Sequence, residues 1–228
     1  MKKSLFLFLF LFLFSFKFVN ISSSQTYCIY YVEQNKLNLD IVENEVIPVK
    51  FRADLKEMLI QESKAKYYFK LIYDKGKSMY SFDKIVDKPK NMNSGYVDIY
   101  KDFMKQEIYI TGGLMPPSEA IKENFPKWTY QKETKKILNY TCQKAILIEE
   151  KNDTTTAWYT TEIPIMEGPN VYAGLPGLIL EIDTKTQHFK ISEIEKIENK
   201  NFSIEIPNFE KFITKEDYKR VMLSGMKK

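Results

Sequence analysis

The chain of 228 residues has one histidine, His188, two cysteines, Cys28 and Cys142, and two arginines, Arg52 and Arg220. Each shortage excludes a kind of chemistry. With no His-Glu-x-x-His, no Cys-x-x-Cys and no calcium-loop pattern, zinc and calcium have no ordinary ligand set, so no metal and no cofactor are expected. No nucleophile-elbow pattern accompanies His188, which reads as a solvent-facing turn residue between Asp183 and Phe189, and no catalytic residue is assigned. Two arginines leave few candidates for bidentate phosphate recognition. The lysines are dispersed among acids rather than gathered on one face, so nucleic acid is not an expected partner. There is no linker, low-complexity tract or internal repeat, which makes 25–228 one expected domain.

One long apolar run is present. Lys2 and Lys3 precede Leu5 to Phe14, extended through Ser15 and Phe16 to Lys17. That is a charged segment followed by an apolar one of signal-peptide length. A membrane-spanning helix needs roughly 20 apolar residues, more than this run supplies. Ser22, Ser23 and Ser24 supply the small side chains a signal peptidase accepts, which places the cut after Ser24. Cys28 follows Gln25, Thr26 and Tyr27 rather than the small apolar box of a lipoprotein. The expectation is an exported protein, periplasmic, outer-membrane-associated or secreted, and not lipid-anchored. The leader 1–24 holds three lysines and no acid, so the net charge of +4 falls to about +1 for the remainder.

An even pair of cysteines in an oxidising compartment predicts a Cys28–Cys142 disulfide, the alternative being two unpaired core cysteines. Closing so long a loop would contribute roughly 4 kcal/mol.

Tyr, Phe, Ile and Val are abundant and alanine is scarce, which favours strands. Tyr27 to Val32 is the first. Tyr67 to Tyr73 turns through Asp74-Lys75-Gly76-Lys77 into Ser78 to Val86, a hairpin. Further strands are expected at Tyr96 to Phe103, Gln106 to Thr111, Lys127 to Gln131, Lys136 to Tyr140, Cys142 to Glu149, Thr155 to Thr160, Leu178 to Asp183 and Phe189 to Ile194. Tight connections without helical crossovers predict a mainly β fold with antiparallel pairing: a curved sheet, sandwich or half-barrel. Helix is expected only over Ala53 to Ser63, in a short turn from Pro117 to Asn124, and after a variant capping box at Thr214 and Asp217.

From Trp158 the chain reads Trp-Tyr-Thr-Thr-Glu-Ile-Pro-Ile, then Gly168-Pro169, then Gly174-Leu175-Pro176-Gly177-Leu178-Ile179. With Lys127-Trp128, Glu133 to Ile137 and Tyr140 to Ala145 in the same order, it resembles the GLPGLI family of exported proteins from Bacteroidetes-type bacteria. The resemblance implies a secreted, mostly β domain of the cell envelope, with an outer-membrane transport or envelope protein as partner. It implies no reaction.

Read physically, Leu175-Pro176-Gly177-Leu178 is a type II turn, with Gly177 supplying the positive φ. It sets Leu178, Leu180 and Ile182 on one strand face, with Ile179 and Glu181 on the other. Gly168 and Gly174 allow a sharp bend or a close backbone approach. The segment is either a structural corner or a contact loop. As a contact loop it offers Trp158, Tyr159, Tyr172, Gly174, Leu175, Pro176 and Gly177, and Trp128, Tyr130 and Tyr140 extend an amphipathic groove.

The expected function is a non-enzymatic binding or accessory protein whose ligand is a peptide, a lipid or a membrane protein. One rival is a hydrolase using carboxylates such as Glu193 with Glu195, or Glu149 and Glu150 with Asp153. The other is a structural or adhesive surface protein.

Overall fold

A computed structural model describes residues 25–40, 42, 48–87, 96–148, 153–197 and 203–225, with the backbone alone from 221 onward. The leader, its cleavage point, Glu149 and Glu150 lie outside the described residues.

The strands are β1 (Thr26–Asn35), β2 (Lys66–Asp74), β3 (Lys77–Val86), β4 (Val97–Asp102), β5 (Glu107–Gly112), β6 (Glu119–Asn124), β7 (Thr129–Ile137), β8 (Tyr140–Ile148), β9 (Thr154–Thr160), β10 (Leu178–Asp183), β11 (Gln187–Ile197) and β12 (Lys211–Ile213). Two helices, α1 (Val49–Lys64) and α2 (Lys215–Gly225), complete the described chain. The strands form one sheet in the order β12-β6-β5-β4-β3-β2-β1-β11-β10-β9-β8-β7, which does not close into a barrel. The fold is therefore mainly β, as the composition predicts.

The β2–β3 hairpin turns where expected. Lys75 and Gly76 both take positive φ, 46° and 78°, the backbone a two-residue hairpin loop requires. Three details differ from the sequence reading. Pro117 to Asn124 does not continue as helix: after a turn, Glu119–Asn124 pairs with β5 as β6, because the edge of β5 offers backbone partners that a short isolated turn lacks. The strand expected at Lys127 to Gln131 runs on as β7 through Ile137, its pairing with β8 interrupted between Tyr130 and Thr134, while Tyr140, expected at the end of a second strand, opens β8. Finally, β12 runs parallel to β6, so the sheet is mixed.

Curvature gathers one large core. Alternate residues Tyr27, Ile29 and Tyr31 of β1 and Leu71 of β2 share a cluster with Ile108 of β5, and with Ile137 and Cys142 from near the other end of the strand order. Only a strongly curled sheet brings such distant strands around one interior. Irregular register between β1 and β11, β2 and β3, and β9 and β10 supplies the bends.

The expected disulfide is not formed: Cys28 and Cys142 are both buried and free. Cys28 alternates with Tyr27 and Ile29 and so points away from the cluster that contains Cys142. Three strands, β11, β10 and β9, also separate β1 from β8. Neither distance nor direction suits a bridge.

At the C-terminal end the capping box is present. Thr214 Oγ1 accepts from the Asp217 amide at 3.0 Å, while the Asp217 carboxylate accepts from the Thr214 hydroxyl at 2.9 Å. This starts α2.

Candidate functional site: a pinned corner beside a cleft

The seventeen-residue connection 161–177 between β9 and β10 has no regular secondary structure, yet much of it is buried, including Ile163, Ile165, Glu167, Tyr172, Ala173, Leu175 and Gly177. Backbone bonds fold it on itself. Gly174 N–H donates to Met166 at 2.9 Å, Leu178 N–H to Ile163 at 3.0 Å and Ile179 N–H to Glu167 at 2.8 Å.

The glycines do different work from the type II turn predicted. Gly177 does not take positive φ; its N–H reaches back to Leu175 at 2.8 Å across Pro176, a tighter three-residue turn. Gly177 is needed for space, since a Cβ there would lie 2.0 Å from the Thr160 carbonyl oxygen. Gly168 is similarly enclosed, where a Cβ would lie 2.7 Å from the Tyr172 carbonyl oxygen, and Gly174 alone of the three carries positive φ, at 92°.

A bulge at Leu180 then alters the strand pattern. Leu178 and Leu180 pack into the large core, whereas Ile179 and Ile182 share a second cluster with Tyr159, Tyr172, Leu175 and Phe189. Ile182 is thus on the face opposite to the one alternation predicts, because the extra residue between the Ile179 and Glu181 pairings reverses the parity. Both faces of this strand are buried.

A fully buried ion pair ties the connection to the sheet. Lys101 Nζ lies 2.9 Å from Glu167, both side chains being inaccessible to solvent. Lys101 also donates to the Gly168 carbonyl at 2.7 Å. Glu167 accepts from Ser78 Oγ at 2.6 Å and from the Gly168 amide at 2.9 Å. Burial lowers the Lys101 pKa while Glu167 opposes the shift. Tyr31 OH donates to the Ile179 carbonyl at 2.6 Å, and Trp128 Nε1 to that of Ala173 at 2.9 Å. A buried charge pair is stable only when such bonds satisfy its remaining donors and acceptors, and here they do.

Sequence reasoning passed over Ser78, Lys101 and Glu167, but one signal was present. Val97, Ile99 and Lys101 alternate, so Lys101 continues an inward-facing apolar row. Glu33 does the same after Ile29 and Tyr31. It is buried, and burial raises its carboxyl to about 7 against the opposing bond from Gln187.

The contact candidates are mostly enclosed. Tyr159, Tyr172, Leu175 and Gly177 are buried, Trp158 and Gly174 are half-buried, and Pro176 is exposed. Tyr159 OH bonds to Gln143 at 2.8 Å, and the Lys135 ammonium stacks over Trp158 at 4.4 Å while pairing with Glu181 at 2.6 Å. His188 is half-exposed in the β10–β11 hairpin and pairs with Asp183 at 3.0 Å. Among the described residues no group of three or more His, Cys, Asp or Glu side chains is arranged to hold a metal ion. No described helix is long and apolar enough to cross a membrane.

Beside the corner lies a cleft of about 640 Å³ between α2, the ends of β5 and β6, and residues 171–172. Ile108, Pro126, Leu147, Val171 and Tyr172 give it apolar walls. Glu123, Lys215, Glu216 and Lys219 charge its rim, with Lys215 paired to Glu123 at 2.5 Å. Of the predicted contact residues, Tyr172 lines this cleft. Its ring stands 6.1 Å from that of Trp128.

No curated protein matches this chain. Two crystal forms of PNGF-II are similar in fold, with TM-scores of 0.54 and 0.55 at 18% and 16% identity over 87% of this chain. This chain spans a third of the PNGF-II length, 33% in each case. Residues 148–181, from the end of β8 through the pinned connection into β10, match a Bacteroidetes-type family described as a protein of unknown function (Porph_ging).

Proposed function

We propose that this chain is an exported cell-envelope binding protein of the GLPGLI type, which holds an amphipathic ligand, a peptide or a lipid, in the cleft under α2. The cleft carries the reading: apolar walls from Ile108, Leu147, Val171 and Tyr172 beneath a rim of lysines and glutamates suit a ligand with an apolar body and a polar end. Its volume lies in the range of small-ligand sites. The pinned connection serves the cleft as a foundation, fixing Val171 and Tyr172 in its wall.

Binding fits better than hydrolysis by paired carboxylates. That chemistry holds one acid protonated beside the scissile bond, whereas Glu123 on the rim is engaged by the Lys215 ammonium at 2.5 Å. Export rests on the leader, and the partner is drawn from the envelope.

The test is photocrosslinking from within the native envelope, with a photoreactive residue at Leu147 in the cleft and, separately, at Lys84 on β3. A discrete adduct at 147 and none at 84, identified by mass spectrometry, is the expected result. Equal or absent labelling at the two positions contradicts the reading.

A further inference from the structure

Another buried acid, Glu33, lies near the C-terminal end of β1, outside the cleft and the pinned connection. Glu33 stands opposite Tyr67 of β2 and Phe189 of β11. Its carboxylate accepts a bond from Gln187 Nε2, which also reaches Asn35 at 3.4 Å. The Tyr80 hydroxyl is buried with no hydrogen-bond partner among the described residues and interacts electrostatically with Glu33. The Tyr67 hydroxyl interacts with both Glu33 and Glu62 of α1. The next residue, Gln34, binds α1 directly, its Nε2 donating to the Ser63 carbonyl at 2.8 Å. The groups facing Glu33 are therefore Tyr67, Tyr80 and Gln187, and Tyr67 in turn interacts with Glu62 of α1. On the hairpin beyond Gln187, His188 and Lys36 both pair with Asp183.

We infer that Glu33 is a proton-operated latch: protonated, it lets α1 seat on the end of β1, and ionised, it releases the helix. An ionised carboxylate in this position has one amide donor and a ring of tyrosines, too little to replace its water. Relief requires exposure, so one neighbouring element must part. β1, β2 and β11 flank Glu33 with core side chains such as Tyr31, Phe69 and Ile191, whereas α1 has no buried residue at all. α1 has least to lose and is the element that moves.

Burial moves the Glu33 carboxyl from 4.5 to about 7. Proton linkage then lowers the ratio of docked to released α1 by up to about 300-fold as pH rises from 4 to 9.

Hydrogen exchange, corrected for intrinsic rates, measures this ratio across α1 at pH 5.5 and 8.5. Between these two values the latch predicts a loss of α1 protection of about 30-fold in the wild-type chain, with Glu33→Gln protected at both. The Glu33 side-chain carbon resonance, followed by NMR in the wild-type chain, must titrate with the same midpoint as the α1 amides. The latch is overturned if α1 protection is independent of pH or if Glu33 titrates as an ordinary glutamate. It is equally overturned if Glu33→Gln follows the wild type.

Discussion

Residues 161–177 and α1 invert the usual relation between regular structure and rigidity. The irregular segment is held by a buried ion pair, two close-approach glycines and backbone bonds to its own interior, while the sixteen-residue helix buries none of its side chains. Regular hydrogen bonding within a helix does not fix it to a domain; burial and satisfied polar contacts do. Two of the buried acids, Glu167 and Glu33, repeat the contrast. Glu167 has an ammonium and two further donors, whereas Glu33 has an amide donor and is pushed toward its neutral form.

The largest expected effect attacks the pinned connection at Gly177. Gly177→Val sets a Cβ 2.0 Å from the Thr160 carbonyl oxygen, between backbones that have no room to part. Loss of more than about 4 kcal/mol is expected, read as absence of folded protein by circular dichroism. Next is Lys101→Met, which strands Glu167 in the core. Urea unfolding should show a loss of roughly 3–5 kcal/mol, much of it recovered in the double variant with Glu167→Gln, since no unpaired charge is then left buried.

The third change reverses sign. Because the folded-state value of Glu33 is raised, its contribution is fully present below about pH 4.5 and lost as pH climbs through about 7. Glu33→Gln should therefore gain stability over the wild type by up to about 3 kcal/mol at pH 8, and much less at pH 5. Thermal melts at the two values check it. The smallest effect belongs to the outer face of α1, where Phe51 is half-exposed. Phe51→Ser should change the urea midpoint by no more than about 0.5 kcal/mol equivalent. A larger loss would mean that α1 is anchored after all.

The architecture was legible wherever pattern and turn chemistry agreed. Alternating Tyr, Ile and Phe in β1 and β2, and Asp74-Lys75-Gly76-Lys77 between β2 and β3, determine their strands locally. Glu119–Asn124 was not legible, because a strand that gains its partner from β5 has no periodicity strong enough to declare itself. The bulge at Leu180 was hidden for a related reason: one inserted residue reverses the parity, and no residue type marks it. For the site, Gly168 and Gly177 suggested a close approach but not what they approach. Lys101 and Glu33 were visible as charges in apolar rows, yet only the curl of the sheet reveals that one finds an ion partner and the other, among the described residues, does not. Lys215 and Lys219 reach the cleft through the path of the chain after β12, which the sequence does not encode locally.

Residue-resolved hydrogen exchange at pH 8 tests the contrast most directly. The amides of Gly174, Leu178 and Ile179, donors within the pinned corner, should exchange only through global unfolding, while the α1 amides exchange through a far less costly local opening. Fast exchange in the corner, or α1 amides protected to the global limit, would contradict this account.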